Sequence, residues 1–295
     1  MPKSWWRRAS QRAVDRVVAG LRWRFGLDQL NARVAALERR VGVFTSAASA
    51  WAVSSWIEQA HLETTPLVSV ILATRNRSKL LPRAVESVAL QKYPKWEIVL
   101  VDDGSTDDTP AVVRRLSEHL GAEKLRGLRI SQSGVCAARN RGLDAARGEV
   151  VAYLDDDNTM DRLWLKAVVW AFSQRPDIDV VYGGFMVDDL RRLDRRGAGD
   201  LPSFHLNAFD RVALQQYNIA DIGAIAHRKN LPEARFDETL RSLGDWDLLL
   251  RLTRQKPPLV LPAIACYYTT SAPDRPSEHP SFAGEIELIQ KRLKK

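Results

Sequence analysis

Three consecutive carboxylates, Asp155, Asp156 and Asp157, follow the apolar run Val-Val-Ala-Tyr-Leu at 150–154. A second acidic pair, Asp102 and Asp103, opens the turn Asp-Asp-Gly-Ser-Thr-Asp after another apolar run. A third, Asp245 and Asp247, flanks Trp246 just before a run of leucines. Carboxylates about 4 Å apart repel by roughly 4 kcal/mol at an effective dielectric near 20, and by only about 1 kcal/mol in bulk water. A row of three is therefore either a solvated turn or a set of hard oxygen donors for a divalent cation. Mg²⁺ and Mn²⁺ suit such donors, and Mg²⁺ typically takes one or two carboxylates together with substrate phosphates. The pair around Trp246 also admits two readings: acids that cap a helix and complement its dipole, or a carboxylate kept for proton transfer.

Placing these acids together takes strand ends. Residues 67–73 and 150–154 are short apolar runs with β-branched residues, the pattern of buried strands, and 96–101 and 125–130 read as two further strands between them. The segments between them read as helices, the first over about 78–91, the second with Pro110 in its first turn, the third over 134–147. This alternation implies right-handed crossovers and a mostly parallel sheet. Thr74-Arg75, Asp102-Asp103 and Asp155 to Asp157 then emerge on one edge, the edge where open α/β sheets bind ligands. Acids gathered there, with Arg75 and Arg139 nearby, suit a metal-bound diphosphate flanked by guanidinium groups.

The chain has 295 residues and a net charge of +8. Residues 1–45 hold ten Lys/Arg against three acids, a balance of +7, so the basic character belongs to an arm. No zinc-finger or RNA-recognition motif accompanies it, and no nucleic-acid partner is expected. Residues 1–26 have the pattern of a basic amphipathic helix with flanking Trp5 and Trp6, fit either for an anionic membrane surface or for packing on protein. Leu27, Leu30, Val34, Leu37, Val41 and Phe44 keep heptad spacing, which suits self-association through 27–44. Residues 45–66 read as a connector, and Ala, Ser and Thr make the uncharged stretch 41–57 too polar for a membrane span. Cys136 and Cys266 lie far apart with no metal-binding pattern, which fits a reduced cytosolic setting. The expected location is cytoplasmic, with peripheral contact at the inner face of the plasma membrane.

The stretches Val68 to Arg77, Val101-Asp-Asp-Gly-Ser105, Gly134-Val-Cys-Ala-Ala-Arg-Asn-Arg-Gly142 and Asp155-Asp-Asp-Asn158 together resemble a family 2 glycosyltransferase of the GT-A fold, in order and spacing, over about 66–270. The resemblance implies an α/β fold with a Rossmann-like, mostly parallel sheet flanked by helices and preceded by a helical N-terminal extension. It also implies a nucleotide-binding half at 66–160, an acceptor half at 161–270 and a C-terminal tail or helix at 271–295. By the same resemblance Asp103 contacts the nucleotide base, Ala73 and Arg75 line its pocket, and Asp155 or Asp156 reaches the ribose. Asp157 would hold a divalent cation, Mn²⁺ or Mg²⁺, in a DxD-type motif, with Arg139 flanking the diphosphate. Asp245 would be the general base and Asp247 its helix-stabilising neighbour. The implied reaction is inverting transfer from a nucleotide-diphosphate sugar to a carbohydrate or lipid-linked acceptor in bacterial polysaccharide or glycoconjugate synthesis. His227 and His279 are further candidates for a metal-ligating histidine.

Rivals are separable by sequence. A sugar-1-phosphate nucleotidyltransferase would carry a glycine-rich loop where Thr74-Arg-Asn-Arg77 stands. A processive synthase would carry transmembrane helices and Gln-x-x-Arg-Trp. A non-catalytic nucleotide-sugar-binding or scaffold protein using the N-terminal arm is the alternative from another class, and the intact acids at Asp103, Asp155 to Asp157 and Asp245 weigh against it.

Overall fold

A computed structural model describes residues 48–188, 204–269 and 281–293, all within one unit, Ala47–Lys295. The amphipathic segment 1–26, the heptad segment 27–44, residues 189–203 and His279 lie outside the described residues.

Four strands form the first part of the sheet: β1 (Val68–Thr74), β2 (Trp96–Asp103), β3 (Leu125–Ile130) and β4 (Val150–Tyr153). They lie in the order β3-β2-β1-β4 and all pair in parallel, as the alternation with helices predicts. The sheet continues through β8 (Ile225–Arg228), β6 (Val180–Asp188), β9 (Leu259–Thr269) and β5 (Thr159–Met160), with β7 (Phe204–His205) on β6. β8 runs antiparallel to both neighbours, β6 and β9 are parallel, and β5 returns antiparallel.

Strand composition follows from burial on both faces. Every residue of β2 and β4 is buried, which is why these runs read as nearly continuous apolar segments. Alternation then sorts side chains between two cores. Val68, Val70, Leu72, Ile98 and Leu100 face α2 (Leu81–Ala89) and α5 (Trp164–Gln174). On the other face, Val99 and Val101 pack on Ala138 of α4 (Val135–Ala145), while Ile71, Val151 and Tyr153 join a core with Leu248 and Leu249 of α7 (Gly244–Leu252). The helices bearing Arg139 and Asp245 therefore share one side of the sheet. α3 (Thr109–Leu120) covers β3, α6 (Arg211–Gln216) leads into the 3₁₀ turn Ile222–Ala224, and α8 (Phe282–Leu293) closes the described chain.

Residues 48–59, expected within a connector, form helix α1. Its Ile57 is fully buried in the main core, and the Glu58 carbonyl and carboxylate accept from Lys166 (2.7 Å) and Arg162 (3.1 Å) of the α5 region. This helix is part of the folded body. No helix among the described residues is long and apolar enough to cross a membrane.

Candidate active site

Register sets the edge. Thr74 pairs with Asp102, whereas β4 ends where Tyr153 pairs with Ile71, so the acidic turn runs alongside the last residues of β1. The βα turns there are tied to one another. Asn76 adopts φ 53°, its N–H donates to Ser105 Oγ (2.9 Å), and its Oδ1 accepts from Thr106 N–H (2.8 Å). Asp102 Oδ1 accepts from Ser105 N–H (2.9 Å). Asp103 uses both oxygens, accepting from Ser133 N–H at 2.6 Å and Gly134 N–H at 2.9 Å, and so fixes the turn that starts α4. Gly104 sits at φ +68° against Gln132, where an added Cβ would lie 2.8 Å from the backbone nitrogen.

Ala73 is half-buried on β1 within this wall, and Arg75 is exposed at its rim. Of the two arginines that follow β1, the one that faces the acidic turn is Arg77, two residues further on, with Nε 3.8 Å from Asp156 Oδ1. Asp156 is buried and accepts from Thr74 Oγ1–H at 2.7 Å. Burial, reinforced by the charges of Asp157 and Asp155 and opposed by Thr74 and Arg77, pushes its carboxyl up to about 7. Asp155 receives Arg139 Nη2 at 2.6 Å. Arg83 donates to the main-chain oxygen of Asp157 (3.2 Å) and to Thr269 Oγ1 (2.7 Å), pinning the far end of the turn.

Among the described residues, no group of three His, Cys, Asp or Glu side chains forms a ready metal cage. Half-buried Asp157, beside two carboxylates held by Thr74 and Arg139, offers hard oxygen donors at the mouth. Such a donor set fits a cation that arrives with a diphosphate and keeps phosphate and water ligands. His227 does not belong to it. It is fully buried on β8, its Nδ1 lies 2.8 Å from the Arg228 carbonyl, and its Nε2 lies 2.7 Å from the Tyr153 hydroxyl. A carbonyl only accepts, so Nδ1 carries the proton and Nε2 accepts from the phenol. Burial holds this ring neutral, down at about 4.

Opposite the acidic turn stands the start of α7. Asp245 Oδ1 accepts from Trp246 N–H and Oδ2 from Asn218 Nδ2, each at 2.8 Å. Burial, opposed first by Arg139 and reinforced by Asp155, raises its carboxyl to about 6. Asp247 instead receives Arg251 Nε at 2.9 Å, an i,i+4 pair on its own helix. Two features aim α7. Glu285 of α8 accepts the N–H groups of Arg241, Ser242 and Leu243 at 2.9, 2.9 and 3.0 Å. Gly244 lies against α4, where a Cβ would come 2.5 Å from Cys136 Sγ.

The fold thus brings Arg139, Asp155 and Asp245 together. It adds Asp221, which the motifs do not mark. Burial, then the charges of Asp155 and Asp245, hold the Asp221 carboxyl well above the usual range. Asn218 and Glu285 are further additions whose only signal is tertiary.

A curled, mostly parallel sheet of this kind flanked by helices is the GT-A fold, and solved structures of that fold match it. Residues 69–228 match the model of the family described as "Glycosyl transferase family 2", and the chain belongs to that family. A PGL/p-HBAD biosynthesis glycosyltransferase of Mycobacterium bovis is 33% identical over 189 residues, 63% of this chain and 69% of the relative. The putative colanic acid biosynthesis glycosyl transferase WcaA of Escherichia coli is 27% identical over 197 residues, 65% of this chain and 67% of the relative. S. aureus TarS 1-349 in complex with UDP-GlcNAc matches with a TM-score of 0.60 at 22% identity, covering 76% of this chain and 65% of that one. Mannosyltransferase PcManGT from Pyrobaculum calidifontis, in complex with GDP-Man and Mn²⁺, matches at 0.57 and 20% identity, covering 88% of this chain and 75% of that one. At these identities the structural likeness is one of fold.

Proposed function

We propose that this chain is an inverting, divalent-cation-dependent glycosyltransferase that moves a sugar from a nucleoside-diphosphate sugar to an acceptor hydroxyl. The reading is supported by one arrangement: Arg139 Nη2 holds Asp155 of the acidic edge at 2.6 Å, and Asp245, held by Trp246 N–H and Asn218 at the start of α7, has its carboxyl raised by burial to about 6. A general base works best when its pKa lies near the working pH.

The wall formed by Ala73, Arg75 and Asp103 receives the nucleotide, and Asp155 and Asp156 serve the ribose side. Asp157 is the residue that would hold the cation, which when bound neutralises the leaving diphosphate. Arg139 flanks the diphosphate. Asp245 takes the proton of the acceptor hydroxyl as that oxygen bonds to the anomeric carbon and the bond to the diphosphate breaks, the electron pair leaving with the phosphate oxygen. One displacement with one base inverts the anomeric centre. Relatives in PGL/p-HBAD and colanic acid biosynthesis favour a carbohydrate or lipid-linked acceptor.

Calorimetry with UDP and GDP, with and without Mn²⁺, tests the donor side, and NMR of the product anomer tests inversion. Asp157→Ala is expected to abolish the Mn²⁺-dependent part of binding. Undiminished Mn²⁺-dependent affinity in that variant would remove Asp157 from the cation site. Donor binding with neither transfer nor donor hydrolysis would favour a non-catalytic binding protein.

A further inference from the structure

Helix α1 turns an uncharged face to solvent. From Trp51 onward its exposed positions are Trp51, Ala52, Ser55, Trp56 and Gln59. With about 3.6 residues per turn, these fall within one arc of about 140°. None is charged, whereas a helix face turned to water ordinarily carries charged residues. Trp51 and Trp56, at opposite margins of the arc, are 50% and 54% exposed. The other side of the helix is firmly seated. Ala50 joins a small core with Met186, Phe204 and Ile264, Ile57 enters the main core, and Trp56 stands edge-on to Trp170 at 4.8 Å. The helix therefore cannot roll its tryptophans inward without giving up those contacts.

The surroundings of this face are basic. Glu58 pairs with Lys92 (3.9 Å) and Arg162 (3.1 Å), and its carbonyl accepts from Lys166, so three cations meet one carboxylate. Residues 1–45, which precede the helix in sequence, add a balance of +7. At its other end α1 approaches the acidic edge of the sheet: Met186 pairs with Tyr267, two residues before Thr269, and Arg83 ties Thr269 to Asp157. Tryptophan rings rimmed by cations match a partner that is apolar beneath and anionic at its surface. A second copy would bring two basic rims together, and the chain's own residues 1–45 carry the same sign as the rim. We propose that the exposed face of α1 docks on an anionic lipid surface, with Trp51 and Trp56 entering the headgroup layer and Lys92 and Arg162 meeting its charge. Interfacial binding grows with the apolar area buried and with attraction to anionic lipid, and here the folded body supplies the first while the basic arm strengthens the second.

Co-sedimentation of the full chain tests this, with vesicles of phosphatidylcholine alone and of phosphatidylcholine containing about 30% phosphatidylglycerol, at about 0.1 M salt. Two variants are compared with wild type. Trp51→Ser with Trp56→Ser removes the rings and changes no charge. Ala52→Glu with Ser55→Glu keeps both rings and the seated side of the helix, and places carboxylates in the middle of the face. Wild type is expected to bind the anionic vesicles in preference to the neutral ones, and each variant to bind them about 10–100-fold more weakly. The glutamate variant should melt as wild type does, which separates lost docking from lost folding. Unchanged vesicle affinity in either variant overturns the proposal, as does equal binding to neutral and anionic vesicles or wild type that binds neither. Sedimentation velocity without lipid covers the rival occupant: a dimer that the glutamate substitutions dissociate, in protein that ignores vesicles, overturns it in favour of a second copy.

Discussion

Arg139 Nη2 and Asp155 Oδ1 meet at 2.6 Å, joining helix α4 to the acidic edge of the sheet. The arginine side chain is 10% exposed and stacks over Phe236 at 5.3 Å, so its charge is committed to the acids around it. Removing one partner of a buried pair typically costs about 3–5 kcal/mol, because the other charge is stranded. Arg139→Met should therefore lower stability by about that amount. Arg139 also depresses the Asp245 carboxyl, so its loss should move the acid limb of any surviving activity above about 6. A melting curve and a pH profile check the two effects separately.

Asp245 and Asp247 should separate cleanly by kinetics. Asp245→Asn keeps size and its Oδ1 can still accept from Trp246 N–H, although its amide nitrogen cannot accept from Asn218 Nδ2; it cannot take a proton, so turnover should fall at least about 100-fold with donor affinity intact. Asp247→Asn should lose mainly the Arg251 pair and show a small kinetic defect. In wild type, activity should fall as pH drops through about 6, where Asp245 becomes protonated. Because that value is raised from 3.8, ionisation of Asp245 opposes folding as pH climbs toward 6, so Asp245→Asn should cost no stability at pH above that range. If Asp247→Asn proved inactive and Asp245→Asn active, the base would lie two residues along.

Glu285 reaches the loop ahead of α7 from more than forty residues away in sequence. Glu285→Ala strands three backbone N–H groups and should cost at least about 2 kcal/mol. It should lower kcat more than donor affinity, since the helix it steadies carries Asp245. Hydrogen bonds hold the Glu285 carboxyl below its ordinary 4.5 despite burial. Its contribution is therefore present above 4.5 and is lost as pH falls below that value, so wild type and variant should converge in acid. Chemical denaturation at neutral pH and near pH 3 tests this.

The basic arm calls for a cut that respects helix α1. Deleting residues 1–46 should leave an active core, whereas deletion through residue 60 removes buried Ile57 and should destabilise it. Co-sedimentation of the full chain with anionic vesicles at low salt, abolished by the shorter deletion, is expected from the +7 charge of residues 1–45. Full-length protein that ignores such vesicles would turn attention to self-association through 27–44.

β1, β2 and β4 were legible because strands buried on both faces are mostly apolar, whereas β3, half exposed with Arg126 and Arg129, was legible mainly from its place in the alternation with helices. The acids at their ends were legible because strand polarity puts them on one edge. Arg75 and Arg77 show where that reasoning stops: both follow β1, and the left-handed turn at Asn76 puts Arg77 beside Asp156. Asp221 and Glu285 carry no local signal, since their importance comes from groups distant in sequence. Helix α1 was hidden by composition, its buried side built largely from small residues such as Ala50 and Ser54 around one isoleucine.

The tied βα turns have a consequence for recognition. The amides of Ser105, Thr106, Ser133 and Gly134 would be free in ordinary surface loops, but here each already has an acceptor. The wall proposed to receive the nucleotide is therefore preorganised, and little loop ordering would remain to oppose association with a donor.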